Sequence, residues 1–73
     1  MTRLEFVRRE RKISQQGLGN LPNVRIDQSH ISAIERGVAI PSADQRIRLA
    51  TALGLDPNTL LDQVVVTEEQ ARA

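Results

Sequence analysis

Few side chains in this sequence suit covalent chemistry, and the best candidates are close neighbours. Asp27, Ser29 and His30 supply the acid, nucleophile and base of a hydrolytic triad within one short stretch. Such a triad works only when its members converge from separate directions. Three residues on one short helix cannot do so. His30 is the sole histidine, and cysteine is absent. Multi-histidine metal centres, thiolate zinc sites, iron–sulfur clusters, disulfides and cysteine nucleophiles are therefore excluded. Phe6 is the only aromatic residue, which removes any platform for stacking single-stranded bases. The composition points away from an enzyme, and calls for neither a cofactor nor a metal.

What is left is recognition by amides, hydroxyls and guanidinium groups, concentrated between Gln28 and Arg36. With about 100° of rotation per helical residue, Ile31 and Ile34 define an inward face. Gln28, Ser29, Ser32, Ala33 and Arg36 then share the opposite arc. No carboxylate falls on that arc, and Glu35 lies on the core-facing edge. Such a face approaches phosphates without repulsion. Gln and Ser both donate and accept hydrogen bonds, which suits base edges in a major groove. An ordinary solvated helix would look similar, so the neighbouring elements have to decide.

Capping and turn residues divide the chain into five short helical segments. Thr2 can cap a first helix to about Lys12, with Leu4 and Val7 on its apolar stripe and Arg8 aimed at the core side. Ser14 caps a second, from Gln15 to about Leu21, with Leu18 and Leu21 facing inward. Gly17 and Gly19 weaken it by up to about 1 kcal/mol each relative to Ala. Pro22-Asn23-Val24-Arg25 is turn chemistry. Asp27 caps the third helix, Gln28 to Arg36, closed by Gly37. Pro41-Ser42 opens a fourth, where Ser42 and Gln45 have capping-box spacing. Its core stripe is read as Ile47, Leu49, Ala50 and Leu53, and Gly54 stops it. Asp56-Pro57 starts a fifth, carrying Leu60 and Leu61. Val64-Val65-Val66 has strand propensity, and Thr67 to Ala73 reads as a loose or helical tail. The expected fold is all-α, a compact five-helix bundle containing a helix-turn-helix over residues 1–62. A short non-helical or strand-like C-terminal tail, residues 63–73, follows it.

Two capped helices separated by a turn, opened by Gln15 and Gln28, form the helix-turn-helix layout. An amide at a helix start can touch the phosphate backbone and a base together. At this level the chain resembles the helix-turn-helix domains of phage repressor and Cro type, the xenobiotic-response-element family. The matching residues are Arg8, Ser14-Gln15 with Leu18, Ile31-Ser32, and Ile34-Glu35-Arg36-Gly37. They continue through Pro41-Ser42 and Leu49-Ala50 to Ala52-Leu53-Gly54, so the resemblance covers about residues 4–61. It implies that Gln28, Ser29, Ser32 and Ala33 read bases. It implies that Gln15 and the region from Arg36 to Ser42 grip phosphates, and that Arg8 and Glu35 form a structural ion pair between the first and third helices. The sequence also departs from the family pattern. Lys12 stands where a glycine usually ends the first helix, and Gly17 where a capping acid is usual. The turn before the third helix is two residues longer, with Arg25 in place of its glycine. Arg25 is thereby offered as a further phosphate contact or a partner-binding bump. His30 sits at the rim, against either a phosphate or the second helix.

Charge distribution agrees with a polyanionic partner. The net charge of +1 conceals +4 over residues 1–50 and −3 over residues 51–73. A basic body permits binding to a polyanion without demanding it. Seventy-three residues make one small domain. No apolar run approaches the roughly 20 residues of a membrane span, and Met1-Thr2-Arg3 leads into a charged amphipathic segment rather than a signal peptide. The expectation is a cytoplasmic regulator, most often a repressor in this family, that binds double-stranded DNA as a homodimer. One such module buries too little duplex for nanomolar affinity. Two alternatives stay open: an antitoxin whose tail engages a toxin, and an adaptor that docks a protein and ignores DNA. The valine run reads equally as a free end, a strand pairing with its twin, or the start of a further region.

Overall fold

The computed structural model describes residues 1–65, which form four helices. Each begins at a short polar side chain that caps its first turn. Thr2 Oγ1 accepts from the Glu5 N–H at the start of α1 (Arg3–Glu10), and Ser14 Oγ from the Gly17 N–H at the start of α2 (Gln15–Gly19). Asp27 does the same for α3 (Gln28–Glu35). The capping box of α4 (Ala43–Leu53) is complete: Ser42 Oγ accepts from the Gln45 N–H at 3.1 Å, and Gln45 Oε1 from the Ser42 N–H at 3.0 Å. Gly37 and Gly54 follow α3 and α4 in left-handed conformations, which satisfy the last carbonyls of those helices.

The apolar stripes of the helices meet in one core of Leu4, Leu18, Val24, Ile26, Ile31, Ile34, Leu49, Ala50, Leu53 and Leu60. Helix α2 packs on α3, and α1 on α4. Val24 and Ile26 belong to this core although they lie in the turn between α2 and α3. That turn is therefore anchored inward at two points. Arg48 on α4 adds a third, donating from Nη1 to the Val24 carbonyl at 2.6 Å while lying 3.0 Å from Asp44.

Three expectations need correction. Among the described residues there are four helices, not five. The segment that begins at Asp56-Pro57 is a pair of turns: Asp56 Oδ1 takes the Asn58 N–H, Thr59 N–H donates to the Asp56 carbonyl, and Asp62 N–H to that of Thr59. The two carbonyl bonds each span three residues, as turns do, and not the four of an α-helix. Leu60 still reaches the core. Ile47 is not part of the α4 stripe, being 54% exposed; two residues from Leu49, it lies on the opposite face at about 100° per residue. The valines do not form a strand over the described residues. Gln63 makes an isolated antiparallel bridge to Thr2, and the Val64 N–H donates to the Met1 carbonyl at 2.7 Å. Val66 and the tail from Thr67 to Ala73 lie outside the described residues.

Candidate nucleic-acid interface

Helix α3 is propped by Ile31 and Ile34, both fully buried, which turns its other side to solvent. Gln28, Ser29 and Arg36 are exposed there, and Ser32 and Ala33 are half-buried beside them. Asp27, at the N-cap, accepts both the backbone N–H and the hydroxyl of Ser29. These two hydrogen bonds, side chain first, hold its carboxyl below its ordinary pKa of 3.8. The Ser29 hydroxyl has thus spent its proton on Asp27 and can offer a ligand only its lone pairs. Arg36 bends back weakly, Nε lying 3.4 Å from the Ser32 carbonyl, so its terminal nitrogens remain available.

Glu35 is the acid that could have spoiled this face, and it points inward. Its side chain is 2% exposed and receives Arg8 through two bonds, Nε to Oε2 at 2.6 Å and Nη2 to Oε1 at 3.0 Å. Arg8 Nη1 also donates to the Ile13 carbonyl at 2.8 Å. Gln15 completes the set, donating Nε2 to Glu35 Oε1 at 2.9 Å. One cluster therefore joins α1, the α1–α2 connection, α2 and α3. It commits one of the two Gln15 amide hydrogens and leaves the second.

The remaining named residues surround α3. Arg25 is exposed at φ +48°, two residues ahead of Asp27. His30 is half-buried, and Ser42 is exposed with its hydroxyl proton uncommitted while Oγ accepts from Gln45. Ser29, His30 and Asp27 do not assemble a triad, because the Ser29 proton goes to the acid and not to the histidine. Among the described residues no three His, Asp or Glu side chains gather as a metal site would need. No described helix is long and apolar enough to cross a membrane.

Two features of the site escaped sequence reasoning. A side chain on Gly19 would drive its Cβ into the Ile26 carbonyl oxygen, so this glycine permits α2 to lie against the strand of chain leading into α3. Its only sequence signal is a glycine inside a helical pattern, which often marks close backbone approach. The tether from Arg48 to Val24 was equally hidden, although its i, i+4 partner Asp44 was in plain view.

Against this geometry, the family model described as a helix-turn-helix domain matches residues 2–66. The chain belongs to that family. It is a helix-turn-helix DNA-binding domain, with α2 and α3 as the paired helices. Comparison with curated proteins and with solved structures gave no significant match.

Proposed function

We propose that this helix-turn-helix protein is a sequence-specific regulator of transcription, a repressor of the Cro kind, acting in the cytoplasm without catalysing a reaction. It binds as a homodimer to a two-fold-related operator, with α3 in the major groove. Gln28, Ser29, Ser32 and Ala33 meet base edges; Gln15, Arg25, His30, Arg36 and Ser42 meet phosphates. The observation that carries this reading is the outward face of α3, which holds amide, hydroxyl and guanidinium groups while its one acid is turned inward by Arg8 and Gln15. Within this assignment Ser29 acts as an acceptor, which favours the exocyclic amino group of adenine or cytosine opposite it.

Selection of bound duplexes from a random pool tests the reading in one measurement. The expected product is a palindrome whose half-site centres lie about 10 base pairs, or a multiple of that, apart. An unenriched pool would overturn sequence-specific binding. A second reading, an antitoxin or protein adaptor, is favoured by exposed apolar side chains away from α3. Val38 and Ile40 lie in the α3–α4 connection, and Val65 beyond the Thr2–Gln63 bridge. Such surfaces mark protein contacts when they are contiguous. Enrichment of nothing from the duplex pool, with a partner protein bound instead, would select this reading.

A further inference from the structure

Four backbone positions among the described residues take left-handed φ values. Gly37 and Gly54 hold two of them, at +76° and +68°; Lys12 and Arg25 hold the others, at +57° and +48°. Only glycine adopts this conformation without a steric penalty. Lys12 nevertheless stands in the same hydrogen-bonded motif as Gly37. After α1 the Lys12 N–H donates to the Arg9 carbonyl and the Ile13 N–H to that of Arg8. After α3 the Gly37 N–H donates to the Ile34 carbonyl and the Val38 N–H to that of Ala33. The offsets are identical, and both are Schellman closures. Gly54 and Leu55 repeat the pattern after α4, so the fold uses glycine for this task at two helix ends and a lysine at a third.

The two strained cations also share their surroundings. Lys12-Ile13-Ser14-Gln15 and Arg25-Ile26-Asp27-Gln28 have one design: a left-handed cation, an isoleucine packed on the core, an N-cap, and a glutamine opening a helix. The first segment reaches the far end of α3, because Gln15 bonds to Glu35, its last residue. The second runs directly into the near end. The eight residues of α3 span about 12 Å, close to the roughly 12 Å width of a major groove. Both side chains are exposed, and neither forms a hydrogen bond or ion pair among the described residues. Arg8, Arg9 and Arg48 by contrast all face carboxylates.

We infer that Lys12 and Arg25 are a matched pair of phosphate contacts at the two ends of α3, and that Lys12 extends the DNA surface onto the α1–α2 connection. The inference rests on the DNA-binding reading above. It explains why two places that suit glycine carry cations with no side-chain partner among the described residues: local rules broken without visible compensation mark functional positions.

The test uses the full chain and its Lys12→Gly, Lys12→Asn and Arg25→Gly variants. Melting temperature and affinity for both the selected operator and a random-sequence duplex are measured across a salt series. Glycine relieves the backbone, so each glycine variant should melt at the wild-type temperature or above. Each should bind both duplexes about fivefold more weakly per subunit, with the slope of log K against log salt reduced by about 1.8, two phosphate contacts per homodimer at about 0.9 each. Lys12→Asn, neutral and tolerant of left-handed φ, should lose as much, which assigns the effect to charge. Unchanged affinity and slope for Lys12→Gly would overturn the inference. So would a fall in its melting temperature beyond about 4 °C, which would make the lysine a structural residue. A wild-type chain that binds no duplex would instead overturn the underlying reading, before any variant is compared.

Discussion

Among individual side chains, Glu35 settles which charges the molecule shows to solvent. Its carboxylate is enclosed by Arg8 and Gln15, and removing it leaves a guanidinium buried without a counterion. Glu35→Ala should therefore cost about 3–5 kcal/mol in urea unfolding; a loss below about 1 kcal/mol would mean that water reaches the pair. Gln28 carries a different burden. It is exposed and bonds to nothing in the fold through its side chain among the described residues, so Gln28→Ala should leave stability intact. Operator binding should weaken by about 1–3 kcal/mol, with relaxed preference at one base pair. Asp27 gives a pH signature. Its folded pKa is depressed by the Ser29 bonds. The stabilisation it provides is therefore complete above the ordinary carboxylate range and disappears as pH falls through the folded value. Thermal melts of wild type and Asp27→Asn should differ near neutrality and converge in strong acid. A gap that persists there would show that the carboxylate's charge is not what holds the cap.

The helices themselves were legible to different depths. Thr2, Ser14, Asp27 and Ser42 announced every helix start, because a cap is a bargain struck between residues two or three apart. The outward residues of α3 could be named from helical rotation alone, since Ile31 and Ile34 leave only one way to turn it. Contacts between elements were another matter. No residue type distinguishes Asp56-Pro57 from a true helix start; the difference lies in the Asp56 carbonyl, bonded three residues ahead where that of Asp27 is bonded four ahead. Nor does sequence spacing show that Gln15 reaches Glu35, or that Gly19 touches Ile26. Read locally, Gly19 weakens α2. In the fold its missing side chain is what allows α2 and α3 to approach. Gly19→Ala should accordingly destabilise by about 1–3 kcal/mol through overpacking, although alanine has the higher helix propensity. A more stable variant by calorimetry would show that the backbone can yield there.

Over the whole molecule, net charge of +1 misrepresents the field a duplex would meet. Among the described residues ion pairs absorb Arg8, Arg9 and Arg48, and Lys12, Arg25 and Arg36 are among the exposed cations left to meet a polyanion. Arg36→Ala should weaken binding to all duplexes alike and lower the salt slope by about 1.8, about 0.9 for each subunit of the homodimer. A selective loss for one sequence would move Arg36 from the backbone to a base. The bridge between Thr2 and Gln63 has its own consequence for protein engineering. Met1 and Val64 share a main-chain hydrogen bond, so the first and last residues of the segment 1–64 stand side by side. A host protein could therefore receive residues 1–64 as an insertion at a single surface hairpin, joined by two short spacers, without prising the recognition unit apart.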